Sequence, residues 1–483
     1  MMTGATFLNT FAVQSAVIIL PTIAKDLDIP ASRMQWIVSA YMLTFGCFLL
    51  LWGRIADLYG KRKVFVLGTA WVTLTTAANP FLPNEISFDV FRGLQGLGAA
   101  ANVPTAIGIL GTAFSPGQAK TYAFTVYSAG APLGSVCGNI VGGFIASFAS
   151  WKWVFGVMAM LAAVVTIAAI FVIPPPKEML REKEISARET VDWVGAFLIT
   201  ASLLCLLFAL TEGNVVGWST PWVPALIVVS LLLIALFILW QWHLENKTTR
   251  APLMKPSIFS IDRRFGAALL TNGLFNASFN GYLIFVTSFY QDYQNLSPLQ
   301  TTLRFLPTGI TGIITAAVAS QLLLRIPASR LLVTSTFCVS ASSLLFAVPI
   351  PPRTTSYFAY GFWAMMLSTF GADMIGPCLA LFTSLTLPLA HQALGGGLLF
   401  ATMQLGRAVG LAVATAVQTA VVARENGVSV QDVREVQPWE EASLKGLRAG
   451  CWLNFGFGVT ALGLVLVTFR GLGVIGKPRA VDK

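Results

Sequence analysis

Charged residues are scarce in this sequence: only 11% of its 483 residues are Asp, Glu, Lys or Arg, whereas 55% are hydrophobic. Soluble globular domains carry roughly 25% charged residues. A chain this poor in charge cannot cover a folded core with a surface that water tolerates, so a soluble domain is excluded. The composition is typical of an all-α, polytopic membrane protein whose helices contact the lipid bilayer.

Histidine and paired cysteines are also lacking. The chain has two histidines and six cysteines, without a C-x-x-C pair or a Cys/His cluster, so neither a zinc site nor a disulfide framework is indicated. The sequence contains no Walker loop and no nucleophile and base arrangement. We therefore expect no enzyme activity, no metal and no cofactor.

The net charge of +10 does not predict a nucleic-acid-binding surface, because the lysines and arginines lie in short loops between apolar runs. The first apolar run lacks the basic n-region and the cleavage site of a signal peptide. We expect it to be retained as a membrane span.

Fourteen apolar runs are each long enough for a membrane-spanning helix, which needs about 20 residues. With the turn after the second run placed in the cytoplasm, the cytoplasmic segments hold 19 lysines and arginines and the external segments hold 7. This positive-inside bias predicts that both termini are cytoplasmic. The runs are 4–24, 35–55, 63–82, 88–112, 121–147, 151–174, 193–211, 221–242, 265–290, 301–324, 331–349, 357–385, 396–423 and 449–470.

The turn between the second and third runs carries the most specific motif. It fits G-x-x-x-D-x-x-G followed by three cations, and it resembles the loop between spans 2 and 3 of the major facilitator superfamily. The resemblance implies a conformational switch loop, in which Asp57 lies against a helix N-terminus or a neighbouring arginine. The alternative is an ordinary basic loop. The loop residues are Gly53, Asp57, Gly60, Lys61, Arg62 and Lys63.

Two short patterns predict an internal repeat. Spans 4 and 12 both contain G-x5-P, at Gly98–Pro104 and Gly371–Pro377, and spans 5 and 13 both contain L-G-x-x-x-G, at Leu133–Gly138 and Leu405–Gly410. The two features are 30 residues apart in the first half and 29 in the second. Since transporters of this superfamily are built from parallel six-span repeats, we expect a 6+2+6 arrangement of fourteen spans.

This arrangement predicts three parts of the chain. They are an N-terminal six-helix bundle over 1–174, two inserted spans with cytoplasmic linkers over 175–264, and a C-terminal six-helix bundle over 265–483. The connectors 174–192 and 424–447 are among the longest, and neither shows the apolar periodicity of a separate domain.

Span 4 resembles the R-x-x-Q-G-x-G-x-A signature of the superfamily, with Arg92 and Gln95 at its polar positions. The resemblance associates Arg92 with proton coupling. A cation inside a span should face protein and pair with a carboxylate, a carbonyl or a solute. The alternative is that Arg92 extends its side chain to the outer membrane interface.

Span 5 resembles the antiporter signature of the superfamily, although Asn139 stands where that signature has its second proline. Small residues four apart let two helices touch along their backbones. Packing without any bearing on the direction of transport is the alternative. The residues of this motif are Gly130, Pro132, Gly134, Gly138, Gly142 and Gly143.

The first span resembles that of fourteen-span drug:proton antiporters but carries Ala12 where many of those have an aspartate. Any proton-binding carboxylate must then come from elsewhere, and Asp373 in span 12 is the best candidate. Arg407 in span 13 lies at a similar depth. We expect the two to form an intramembrane pair that takes part in proton coupling, or a static pair that only fixes helix packing.

Span 9 carries Asn272, Asn276 and Asn280 at a spacing of four, which puts them on one helix face. With Phe279 beside them and Gln95 in span 4, they are candidates for lining a solute cavity. Hydrogen bonding between helices is the alternative.

The chain most resembles fungal multidrug-resistance transporters of the fourteen-span drug:proton antiporter family, including aminotriazole efflux pumps. The resemblance implies a monomeric, proton-coupled exporter of small organic or toxic compounds in the plasma membrane, with the vacuolar membrane as an alternative. An uptake transporter of a small nutrient and a transport-dead sensor are the rival functions.

Overall fold

The computed structural model describes residues 1–30, 33–173, 190–248, 250–430, 433 and 436–475. Most of the predicted connector 174–192 and part of the connector 424–447 lie outside these residues. The described chain forms fourteen helices of at least 18 residues. They are α1 (Met2–Asp26), α2 (Trp36–Tyr59), α3 (Lys61–Ala78), α4 (Glu85–Ala113), α5 (Gln118–Phe148), α6 (Lys152–Val172), α7 (Trp193–Val216), α8 (Trp222–Lys247), α9 (Arg263–Ser288), α10 (Pro298–Arg325), α11 (Ala328–Ala347), α12 (Tyr357–Thr386), α13 (Gln392–Asn426) and α14 (Glu441–Thr468).

Twelve of these helices are long and apolar enough to cross a membrane, and the other two are α5 and α9. The composition of the two helices explains the difference. Helix α5 is rich in glycine, serine and threonine, and α9 begins with two arginines and carries the three asparagines. Within the described residues, the structure therefore shows twelve candidate spans rather than the fourteen that the sequence predicts.

Side-chain caps mark the beginnings of several helices. Asn84 accepts a hydrogen bond from the backbone N–H of Ser87 at the start of α4, and Ser297 and Gln300 form a capping box at the start of α10. Such caps satisfy backbone donors that have no partner within the helix. The helices thus begin where the sequence supplies these acceptors.

Asp192 holds the first turn of α7 and also binds α8. Its Oδ1 accepts from Gly195 N at 2.9 Å and from Trp240 Nε1 at 3.0 Å, and its Oδ2 accepts from Gln241 Nε2 at 2.7 Å. A single carboxylate therefore joins the two helices that the sequence identifies as the inserted pair.

The contacts divide the chain into two compact units. Unit 1 contains residues 1–208, 225–262 and 380–401, and unit 2 contains 209–224, 263–379 and 402–483. In unit 1, α1 packs along α5, while α4 packs against α2 and α3. In unit 2, α14 packs against α9 and α11. The three-part division expected from the sequence stays a prediction.

Glycines in α5 bring the backbone of α1 unusually close. A Cβ atom at Gly134 would collide with the backbone carbonyl of Phe7, and one at Gly138 would lie 3.0 Å from Phe11 O. Each step of four residues along α5 thus meets a step of four residues along α1. Only a residue without a side chain permits this contact at Gly134.

The same packing occurs between α13 and α9 in unit 2. A Cβ atom at Gly406 would collide with the carbonyl of Gly273, and one at Gly410 would lie 2.5 Å from Ala277 Cα. The step is again four residues on both helices. The repeat expected from the two L-G-x-x-x-G motifs is therefore accompanied by a repeated helix pair.

Candidate functional site

The turn between α2 and α3 presents a buried carboxylate to the start of another helix. Gly60 adopts φ of 105°, a backbone conformation that favours glycine and allows the sharp turn. The Asp57 side chain is only 1% exposed. Its Oδ2 accepts from Leu394 N at 2.8 Å and its Oδ1 from Ala393 N at 3.3 Å, so Asp57 caps the N-terminus of α13 within unit 1.

Lys61 and Gly53 support this cap. The Nζ atom of Lys61 lies 3.5 Å from Asp57 Oδ1 and donates a hydrogen bond of 2.9 Å to the carbonyl of Leu389. A Cβ atom at Gly53 would lie 2.9 Å from the carbonyl of Ala393, closer than real Cβ atoms approach an oxygen. The glycine and the cation thus both lie against the segment that Asp57 binds.

The other two cations of the turn, Arg62 and Lys63, have different surroundings. Arg62 donates from Nη2 to the carbonyl of Ile170 at 2.7 Å, in the last turn of α6, where a positive charge is favourable. Lys63 is exposed. As the sequence led us to expect, Asp57 lies against a helix N-terminus, and the role of the turn as a switch stays a prediction.

Arg92 is completely buried inside unit 1. Its Nε donates to Ile37 O at 2.8 Å, its Nη1 to Gln95 Oε1 at 2.6 Å and its Nη2 to Ala12 O at 3.5 Å. The guanidinium also lies 5.0 Å from the centre of the Tyr41 ring. Complete burial rules out the alternative in which this arginine reaches the membrane interface. Among the described residues, its hydrogen-bond acceptors are neutral.

Gln95 is fully buried, and its side chain forms hydrogen bonds with neighbouring side chains. Besides accepting from Arg92, it donates to Thr76 Oγ1 at 2.8 Å. It lines, together with Asn102, a cavity of about 10 Å³, which is room for one water molecule. A cavity of this size does not admit an organic solute, so the structure gives Gln95 a packing role here.

The predicted pair of Asp373 and Arg407 is wrong. The guanidinium of Arg407 instead donates from Nε to Asn276 Oδ1 and from Nη1 to Gln404 Oε1, each at 3.4 Å. Gln404 precedes Arg407 by three residues on α13, and Asn276 lies on α9, which packs against α13. These amide oxygens therefore reach the guanidinium first. In the described part of the chain, Asp373 Oδ2 is buried without a hydrogen-bond partner.

The three asparagines of α9 divide into two groups. Asn272 and Asn276 are 5% and 6% exposed. Asn276 Nδ2 donates to Asn272 O at 2.9 Å, and Asn272 Nδ2 donates to Thr402 Oγ1 at 3.3 Å. These two amides hold α9 and α13 together. Asn280 is half-buried, and no described residue forms a hydrogen bond with its amide.

The aromatic candidate Phe279 is also half-buried, and its ring stacks on that of Phe275 with 6.2 Å between centroids. Of the four candidate residues on α9, Asn280 and Phe279 are therefore the two that remain accessible to a ligand.

The remaining motif glycines of α5 differ in how closely they approach α1. A Cβ atom at Gly130 would collide with Thr3 O, and one at Gly142 would lie 3.1 Å from Ser15 Cα, whereas one at Gly143 would meet Ile18 Cγ2 at an ordinary 3.7 Å. Pro132 lies inside α5. The motif thus builds a close helix pair in which Gly143 is not required.

Arg92 and Arg407 differ in how many donors they leave for a ligand. Arg92 uses all three of its nitrogen atoms and is 0% exposed. Arg407 is half-buried, both of its hydrogen bonds are long, and its Nη2 has no acceptor among the described residues. Of these two arginines, Arg407 is the one that keeps a donor for a ligand in this conformation.

Comparisons with known proteins agree with this architecture. A sequence profile of the Major Facilitator Superfamily matches residues 2–411. The efflux pump terJ of Aspergillus terreus is 30% identical over 458 residues, which cover 94% of this chain and 83% of that protein. The low affinity ammonium transporter of Saccharomyces cerevisiae is 29% identical over 437 residues, covering 90% of this chain and 80% of that protein.

Among solved structures, the human organic anion transporter MFSD10 (TETRAN) superposes with a TM-score of 0.65 over 96% of this chain and 97% of that one. The two sequences are 15% identical. At this identity the likeness shows the fold alone.

Proposed function

The chain belongs to the Major Facilitator Superfamily, and from this premise we propose that it is a secondary active transporter that exports small organic compounds in exchange for protons. Membership of the family makes it a multi-pass membrane transporter of small molecules. Export is supported by the relative terJ, which bears the name efflux pump and aligns over 94% of this chain.

The observation that carries the proposal is the pair of separate, incompletely satisfied charges in α12 and α13. Both helices are candidate membrane spans. Arg407 keeps free donors, and Asp373 has a buried oxygen without a partner. Charged groups inside a span are costly and mark the path of an ion or a solute. We assign Arg407, with Asn280 and Phe279, to solute binding.

Asp373 is the carboxyl group that we assign to proton binding. Protonation removes the negative charge of Asp373 from the membrane interior. The ionised and the protonated forms of the carboxyl group therefore differ in electrostatic energy. A group with such a difference can bias an equilibrium between two conformations. Because Asp373 and Arg407 are not paired in this structure, the acid is available to a proton without first breaking an ion pair.

The cap of Asp57 on α13 is the contact that we assign to the switch. It joins two backbone N–H groups to a buried carboxylate, and Gly53 lets the start of α13 lie close to α2 beside it. Forming and breaking this cap between two states is a means of alternating access.

The finer features of the resemblance belong to the same proposal. They are fourteen spans in a 6+2+6 order, cytoplasmic termini, the plasma membrane, a monomer, and the fungal drug:proton antiporter family. The close packing of α5 on α1 and of α9 on α13 supports counting α5 and α9 as spans.

Uptake of a small nutrient is the second candidate, favoured by the relative that is named a low affinity ammonium transporter. Expression in a drug-sensitive yeast separates the two directions. An exporter raises resistance to at least one compound of a toxin panel and lowers its accumulation, whereas an importer increases accumulation.

The proton step is tested with purified protein in liposomes and a solute identified by that panel. We expect an imposed pH gradient to drive accumulation in the wild type and not in Asp373→Asn, which should retain solute exchange without a gradient. Asp28→Asn is the matched control, because Asp28 is exposed and has φ of 51°, which asparagine tolerates. Gradient-driven accumulation by Asp373→Asn equal to that of the wild type would remove Asp373 from the mechanism.

A further inference from the structure

Unit 2 contains an open cavity whose lining residues do not include Arg407. It lies where α9 ends and where α10, α12 and α14 begin, the side that the topology predicts to be external. Its volume is about 330 Å³, at the lower end of the range for small-molecule sites. Its lining residues are Gln294, Leu296, Arg304, Pro352, Arg353 and Trp439.

Arg304 is held rigidly at this cavity. Its Nη1 donates to Gln294 Oε1 at 2.5 Å, and its Cζ lies 4.7 Å from the centre of the Tyr290 ring and 5.6 Å from that of Tyr357. The Tyr357 hydroxyl donates to the backbone carbonyl of Arg304 at 2.7 Å. A guanidinium fixed in this way loses little conformational entropy when it binds an anion.

Trp439 is placed at the cavity at a conformational cost. Its φ is 58°, a value that bulky residues rarely adopt. The backbone N–H of Trp439 donates to Tyr293 O at 3.0 Å, and the two rings lie 5.3 Å apart. Strain of this kind persists only where surrounding contacts enforce it, and it is concentrated at functional sites. Its effect here is to place the indole among the residues that line the cavity.

Two positive charges lie among the described residues that line the cavity. Arg353 is exposed, and its Cζ lies 5.2 Å from the centre of the Trp439 ring. Among the described residues, neither Arg304 nor Arg353 forms a salt bridge. The described lining residues therefore include two guanidinium groups and no carboxylate, and an anionic ligand would relieve the repulsion between the two cations.

We propose that this cavity is a binding site for a small organic anion with a planar apolar body, such as an aromatic carboxylate or sulfonate. The two arginines bind the anionic group, and the face of Trp439 covers the apolar body. A phosphate or chloride ion would use the arginines but not the indole. The site shares no residue with the solute site assigned to Arg407, and it stands whether or not that assignment is correct.

Calorimetric titration of the protein in lipid nanodiscs tests the proposal, with 2-naphthoate as the probe and neutral 2-naphthamide as its uncharged counterpart. We expect 2-naphthoate to bind one per chain, and 2-naphthamide to bind on the order of 10-fold more weakly. Arg353→Gln and Trp439→Gly should each lower the affinity for 2-naphthoate by roughly 10-fold.

These two variants are chosen because they should fold. Arg353 is exposed, and glycine adopts the backbone conformation of Trp439 without strain. Arg325→Gln is the matched control, an exposed arginine at the opposite end of α10, and it should bind like the wild type. The proposal is overturned by equal affinities for the two probes, by no binding at millimolar probe, or by an affinity of Arg353→Gln equal to that of Arg325→Gln. Loss of binding in Arg407→Gln but not in Arg353→Gln would overturn it too.

Discussion

Removing the Asp57 carboxylate should release the first turn of α13. Leu394 N, at 2.8 Å, makes a full hydrogen bond to the carboxylate, while Ala393 N, at 3.3 Å, makes a weaker one. The carboxylate is 1% exposed, so water does not screen it. Hydrogen bonds to charged groups contribute about 1.5–3 kcal/mol, and a negative charge at a helix N-terminus contributes about 0.3–1 kcal/mol.

Because water will partly replace the lost acceptor, we expect a cost of about 2 kcal/mol for Asp57→Ala, which corresponds to a roughly 30-fold rise in local opening. Asp57→Asn keeps an oxygen acceptor but loses the charge. It should cost about 1 kcal/mol, or roughly 5-fold.

Hydrogen exchange measured by mass spectrometry reads this opening directly, because Ala393 and Leu394 donate the affected N–H groups. The peptide that covers them should exchange faster in the order wild type, Asp57→Asn, Asp57→Ala. Asp28→Asn should match the wild type. Unchanged exchange of that peptide in a folded Asp57→Ala protein would refute the assignment of Asp57 as the cap of α13.

Two further predictions concern helix packing and solute binding. Gly134→Ala should lower the unfolding temperature in detergent, at a cost of about 1–3 kcal/mol, because the added Cβ would collide with Phe7 O. Gly143→Ala should leave that temperature unchanged. Equal unfolding temperatures of the two variants would contradict the described packing. Asn280→Ala should weaken solute binding without altering thermal stability, while Asn272→Ala should lower stability because it removes the hydrogen bond from Asn272 to Thr402. The opposite pattern would contradict the division of the three asparagines into a structural group and a solute-binding group.

The features that the sequence predicts well are those that depend on backbone and on short spacing. Asp57 lies against a helix N-terminus at the end of α2, next to the turn at Gly60. Asp57 and Gly60 belong to one short motif. The repeated packing of Gly134 and Gly406 follows from small residues spaced four apart. This spacing can be read directly from the sequence. Neither feature requires knowledge of a distant side chain.

That Asp373 and Arg407 are not paired with each other could not be predicted in the same way. Position along a span estimates depth in the membrane, but it does not tell which side of the helix a group faces. The interaction of Gln404 with Arg407 could have been found, because residues three apart share a helix face. The contribution of Asn276 needs the packing of α9 on α13, which the glycine motif in α13 only suggests.

The cap of α13 recognises main chain rather than side chains. The two hydrogen bonds do not depend on which side chains stand at positions 393 and 394, so a substitution that the surrounding core tolerates there requires no compensating change at Asp57. Proline is the exception, since it has no N–H to give. Helices ordinarily accept proline in their first turn, and this one should not, a restriction that alignments scored by side-chain similarity would overlook.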